Sequence, residues 1–180
     1  ALKSRRLVEA AAQEANVCPL TGLHNRRHFD AELSGEIDRA RRLGRSVSLA
    51  YVDLDHFHDV NMTHGWPTGD RVLQQFAAVA RANVRARDSV ARVGGEEFLI
   101  LMPDTPLEGA RDMAERIRRS FESAVVESVA GQRVMATLSA GVAQWREDME
   151  SPIAFVNQAS EALLRAKHAG RNRVEAAGEP

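Results

Sequence analysis

Apolar residues recur along this chain at helical spacing in some stretches and as continuous runs in others. Leu7, Val8, Ala11, Ala12 and Ala15 share one helical face, and Cys18-Pro19-Leu20-Thr21-Gly22 then breaks the pattern. A second helix is expected from Asn25 to about Leu43. Phe29, Leu33, Ile37 and Ala40 form its stripe, Asn25 is the N-cap and Gly44 the stop. Val47 to Leu54 reads as a buried strand ending in acidic residues. After a Gly/Pro-rich loop, a helix is expected from about Asp70 to Arg85, striped by Leu73, Phe76 or Ala77, Ala80 and Val84. Val90 to Val93 and Phe98 to Met102 flank Gly94-Gly95 as a β-hairpin. Pro106 opens a helix with Leu107, Ala110, Met113, Ile117 and Phe121 inward. Val125 to Val129 and Val134 to Ala143 flank Gly131 as a second hairpin, a last helix is expected from about Pro152 to His168, and Val174 closes a final strand.

Strands and helices interleave, and two hairpins require antiparallel pairs. The expected fold is therefore α+β, a central mixed, mainly antiparallel sheet flanked by helices, and not a doubly wound parallel sheet.

The chain has 180 residues, 44 % of them apolar, which suits one domain with a short lead-in. Its formal net charge of −1 argues against bulk electrostatic binding to a nucleic acid polymer or to a membrane surface. One cysteine, Cys18, excludes an internal disulfide, and the six scattered histidines lack zinc spacing. No apolar run approaches the ~18 residues that span a bilayer. There is no signal peptide, and the chain starts at Ala1. It is read as a cytoplasmic fragment of a longer protein with a sensor upstream, and a membrane-anchored parent stays open.

Two sets of carboxylates carry candidate chemistry. Asp53 and Asp55 stand at the end of the buried Val47–Leu54 run, and alternation along a strand points both to one side. They suit a hard cation such as Mg²⁺, although an isolated Asp-x-Asp reads equally well as a strand end emerging into solvent. Gly94-Gly95-Glu96-Glu97-Phe98 places two glutamates at a tight turn that a ligand can approach closely. Alone it is an ordinary solvated hairpin tip; with Asp53 it is more specific.

Gly94-Gly95-Glu96-Glu97-Phe98 resembles the signature of the GGDEF family of diguanylate cyclases, in its Glu variant. Pro19-Leu20-Thr21-Gly22-Leu23-His24-Asn25-Arg26-Arg27 is similar to the family's N-terminal motif. Asp53-Leu54-Asp55-His56-Phe57, Asn61, Gly65 and Gly69-Asp70 are similar to its metal and nucleotide segment. Thr137 to Val142 resembles its second hairpin, and Ala166 to Asn172 its C-terminal motif. The resemblance implies a ferredoxin-like, palm-type nucleotidyl cyclase fold over residues 18–176, after a lead-in helix over 1–17 and before a disordered tail over 177–180.

The resemblance also implies roles. Asp53, the Leu54 carbonyl and Glu96 would hold Mg²⁺ or Mn²⁺, two ions per site with GTP bound. Glu96 would also accept the 3′-hydroxyl proton, with Glu97 in support. Asn61 and Asp70 would read the guanine, with Phe57 and Trp66 beside the nucleotide. Lys167 and Arg171, i and i+4 on one helix, would meet the triphosphate. A two-fold symmetric product implies a homodimer of GTP-loaded copies. Arg85, Asp88 and Arg116 resemble an inhibitory site for cyclic di-GMP. Arg-x-x-Asp is common by chance, and its position, with Ser89 to Val93 between Asp88 and Gly94, carries that reading.

The chain departs from the family where Cys18 replaces an Asp, His58 a Lys, Met62 an Asp and Trp66 a His. An unperturbed imidazole titrates near pH ~6.5, so His58 would supply the lysine's charge only partly, and slower turnover is expected. Trp66 is expected to pack on Pro67 rather than stack on a base. Two alternatives remain: a catalytically weak module that binds GTP or cyclic di-GMP and regulates an attached domain, and another palm-type cyclase or polymerase, which lacks the Gly-Gly-Glu-Glu-Phe block.

Overall fold

The computed structural model describes residues 16–178. The lead-in helix thus lies outside the described residues up to residue 15. A two-residue strand, β1 (His24–Asn25), precedes helix α1 (Arg26–Leu43). Asn25 is the N-cap, its side chain accepting from the His28 N–H at 3.1 Å, and Gly44 closes the helix in the left-handed conformation. Then come β2 (Val47–Leu54), α2 (Phe57–His64), α3 (Trp66–Asn83), β3 (Ser89–Arg92), β4 (Glu97–Pro103) and α4 (Leu107–Glu122). The remaining elements are β5 (Val126–Glu127), β6 (Arg133–Val134), β7 (Leu138–Gln144), α5 (Pro152–His168) and β8 (Val174–Ala176).

Among the described residues the main sheet runs β1-β3-β4-β2-β7-β8. Strand β2 lies at its centre, antiparallel to both β4 and β7, while β1–β3 and β7–β8 are parallel. The series from β2 through the α3 layer, β3, β4, α4 and β7 is the split βαβ arrangement of ferredoxin-like folds. Both sheet faces are covered. Helices α1 and α5 close one face over Leu49, Leu99 and Leu101. Helices α3 and α4 close the other over Val52, Phe98 and Ile100. That double cover is why β2 and β4 read as unbroken apolar runs.

Three expectations need correction. The segment before Asp70 is not a loop: α2 occupies it, and α3 begins at Trp66. Gly65 (φ 84°) separates the two helices, and Pro67 sits in the first turn of α3, where its missing N–H costs nothing. The second hairpin shrinks to the β5–β6 pair, Val126↔Val134 and Glu127↔Arg133. Strand β7 leaves it to fill the place between β2 and β8. Finally, Ala177 is not a disordered tail, since its N–H donates to the Val142 carbonyl at 2.8 Å. No helix among the described residues is long and apolar enough to cross a membrane.

Candidate active site

The end of β2 sets the chemistry. Asp53 pairs in register with Glu97 of β4 and with Ser139 of β7. The Leu54 N–H donates to the Glu96 carbonyl at 3.1 Å, which lays the β3–β4 turn against the strand end. Asp53 is 8 % exposed, and its Oδ2 accepts from Lys167 Nζ at 2.8 Å. Burial pushes the Asp53 carboxyl above its ordinary range; Lys167 pulls it down, and the charges of Glu96 and Glu97 push it up again. The carboxyl thus stands beside one ammonium and two further carboxylates. Glu97 is hydrogen-bonded to Tyr51, whose phenol is raised first by burial and then by that carboxylate.

Asp55 has partners of its own and is not aimed with Asp53 at one point. Its carboxylate accepts from Thr137 Oγ1, Ser139 Oγ and the Asn172 N–H. Strand β2 ends at Leu54, so alternation no longer governs the residue after it.

Beside the strand end lies a cavity of about 290 Å³. Phe57, His58, Asn61, Trp66, Asp70 and Glu96 line it, with Leu73, Arg92 and Gly95. Six of the expected site residues thus meet in one recess. The positions come from a helix pair: α2 contributes Phe57, His58 and Asn61, and the first turns of α3 contribute Trp66 and Asp70. Asn61 is buried, and its Oδ1 has no hydrogen-bond partner. Such an unpaired buried acceptor costs about 1–3 kcal/mol and marks a place for a donor. Asn61 also explains Gly69, where a Cβ would collide with Asn61 Oδ1. Trp66 does not pack away as expected: it is 69 % exposed at the rim.

Lys167 is the penultimate residue of α5, and its ammonium reaches Asp53. Arg171 lies beyond that helix, exposed and left-handed at φ 63°. The shared-face reading of Lys167 and Arg171 therefore fails, since α5 stops at His168.

Arg85, Asp88 and Arg116 form a second group. The Arg85 N–H donates to Asp88 Oδ2 at 2.7 Å, closing the turn after α3. Burial raises the Asp88 carboxyl, while Arg85 and Arg116 lower it. Arg116 donates to the Asn83 carbonyl at 2.6 Å and so caps α3.

Arg92 was not singled out in the sequence. Its guanidinium donates to the Gly95 carbonyl at 3.0 and 2.8 Å and holds the turn that carries Glu96. It also reaches Cys18 Sγ at 3.5 Å. Burial raises the Cys18 thiol, but hydrogen bonds involving Thr21 and Arg92 outweigh it and bring the pKa down to about 7. The one available signal for Arg92 was its place two residues before Gly94.

No three Asp, Glu, His or Cys side chains among the described residues converge on a metal-sized point. The donor set still fits a hard cation in part: two oxygen-bearing side chains, a strand-end carbonyl, and an ammonium standing where positive charge is needed.

The family model for "Diguanylate cyclase, GGDEF domain" matches residues 15–173. Response regulator PleD of Caulobacter vibrioides is 40 % identical over 156 residues, covering 86 % of this chain and 34 % of PleD. Diguanylate cyclase DgcP of Pseudomonas aeruginosa is 40 % identical over 170 residues, covering 94 % of this chain and 25 % of DgcP. The chain thus spans a quarter to a third of the length of these relatives. The crystal structure of the coiled coil and GGDEF domain of DgcB from Caulobacter crescentus, in complex with c-di-GMP, is 32 % identical. It superposes with a TM-score of 0.92 over 97 % of this chain and 92 % of that one. A match over most of the sequence, together with the shared fold, makes this chain a member of the GGDEF diguanylate cyclase domain family.

Proposed function

We propose that this domain is a diguanylate cyclase that condenses two GTP molecules into cyclic di-GMP and two pyrophosphates. The observation that carries the proposal is the recess beside the end of β2, where Asn61 presents an unpaired buried Oδ1 together with Asp70 and Glu96, next to the buried Asp53. Asp53, Glu96 and the Leu54 carbonyl would hold Mg²⁺ or Mn²⁺, two ions with GTP bound, the substrate phosphates completing the coordination. When bound, such ions supply Lewis acidity at the α-phosphate and lower the pKa of the 3′-hydroxyl.

The protein's own groups do the rest. Asn61 offers its unpaired Oδ1, and Asp70 a carboxylate, to the guanine N1–H and N2 amine. Adenine lacks that donor pattern. Phe57 gives the recess an apolar wall, and Trp66 stands at its mouth within reach of the base. Lys167 and Arg171 meet the triphosphate, and His58 lines the recess beside it. Glu96, the first glutamate of a Glu-variant signature, accepts the 3′-hydroxyl proton as that oxygen bonds to the α-phosphorus. The bond to the bridging oxygen breaks and pyrophosphate leaves. Glu97, tethered by Tyr51, supports the acidic set. Two copies face each other to close the symmetric product. Cyclic di-GMP would bind at Arg85, Asp88 and Arg116, and a sensor preceding this domain would control the assembly on the cytoplasmic side.

Incubation of the domain with GTP and Mg²⁺, followed by separation of nucleotides, tests the proposal. Cyclic di-GMP and pyrophosphate are expected in a ratio of one to two. The departures at His58, Met62 and Trp66 favour a second reading, a weak regulatory module; bound GTP without product selects it.

A further inference from the structure

Asp55 is 4 % exposed, and among the described residues neutral donors fill its carboxylate. Thr137 Oγ1 and Ser139 Oγ each donate at 2.7 Å, and the backbone N–H of Asn172 donates to Oδ2 at 3.0 Å. The Asp55 N–H in turn donates to the Thr137 carbonyl at 2.9 Å. Asn172 is held from a second side. Its Oδ1 accepts from Arg118 Nη1 at 2.7 Å, and its Nδ2 donates to Glu122 Oε1 at 2.7 Å. Arg118 is itself fixed by Glu115 and Glu122. The strand end of β2, the start of β7 and helix α4 thus converge on one loop residue.

That loop has an uncommon backbone. Gly170, Arg171 and Asn172 are left-handed in succession, at φ 114°, 63° and 47°. A side chain in this region is disfavoured, and two in a row persist only where the surroundings over-determine them. A glycine alone is enough to end a helix. The two positions after Gly170 are therefore held for another reason, and the residue they present is Arg171. Its N–H returns to the Ala166 carbonyl at 3.0 Å, which keeps it close to Lys167, whose ammonium is on Asp53.

We infer that Asp55 is a positioning residue, which clamps the Asn172 backbone and thereby sets Arg171 against the triphosphate of GTP. The inference rests on the cyclase reading and deepens it. The second carboxylate of Asp53-Leu54-Asp55 works as an anchor for the phosphate-binding loop and not as a cation ligand.

The test is a double-mutant cycle on the whole domain, read by calorimetric binding of GTP and of guanosine. Asp55→Ala is expected to weaken GTP about tenfold, the scale of one charge-assisted hydrogen bond, and to leave guanosine binding unchanged. In an Arg171→Ala background it should cost GTP binding nothing more. Asn172→Gly keeps a left-handed backbone accessible and removes the bonds to Arg118 and Glu122. It keeps the N–H that Asp55 accepts and so separates this second hold from the clamp, while Asp55→Asn, which removes the charge at nearly the same volume, gives the same cycle should Asp55→Ala not fold. Equal losses with and without Arg171, equal losses for GTP and guanosine, or no loss at all would each overturn the clamp. A wild-type domain that turns GTP over while the cycle is additive sinks the clamp alone. A wild-type domain that binds no GTP sinks the cyclase reading and the clamp together.

Discussion

Asp53 answers to two opposed demands. Burial and the neighbouring glutamates favour its neutral form, whereas the proposed cation binding needs its charged form. A carboxyl whose folded pKa is raised stabilises the fold fully below its unfolded pKa. That contribution is lost as pH rises through the folded value. Stability without metal should therefore fall across the window above the ordinary aspartate range, while cyclase rate rises across it. Asp53→Asn should flatten both profiles. It should leave the metal-free melting temperature equal to wild type or higher, and cut turnover by more than about 100-fold, beyond the cost of an outer metal partner. Melting curves with and without Mg²⁺, with initial rates beside them, check it; a clear loss of metal-free stability would contradict it. His58 is a matter of degree at the same scale. His58→Lys places a permanent positive charge in the recess and should raise turnover, and an unchanged rate removes His58 from the reaction.

At the scale of elements, α5 carries Lys167 and packs backbone to backbone on β7. A Cβ at Gly141 would meet the Ala159 carbonyl and the Leu163 nitrogen. Gly141→Ala should cost about 1–3 kcal/mol as the two elements separate, or roughly 2–12 °C in melting temperature. GTP affinity should fall with it, because the helix moves with its lysine; calorimetry and melting curves together read this out. What was legible in the sequence follows the same division. Helix α1 was readable at both ends because its signals, Asn25 and Gly44, are local. The α2–α3 junction was missed because Gly65 and Pro67 punctuate a loop and a helix start alike. The second hairpin was overdrawn because the choice of partner for β7 lies about 90 residues back, in β2. The Asp55 partners, 82 to 117 residues away, left no trace in local pattern. Asp53, Asn61 and Glu96 could be singled out as candidates because their motif blocks stand intact.

For the whole molecule, the proposed output and its proposed restraint sit at separate places, the acidic strand end and the turn after α3. Arg85 contributes its backbone N–H to that turn, a bond that alanine retains. Arg85→Ala should therefore fold normally and weaken inhibition by cyclic di-GMP about tenfold or more, the loss of one charged hydrogen bond. Progress curves with added product measure this, and unchanged inhibition would remove the assignment.

The flanks of the main sheet are β1 and β8, of two and three residues, both running parallel to their neighbours. Such stubs expose too little unpaired backbone to recruit a strand from another molecule. In the proposed dimer, two copies would therefore have no ready route to a shared ribbon among the described residues. Their encounter would be left to side chains and bound nucleotide, and it would stay reversible.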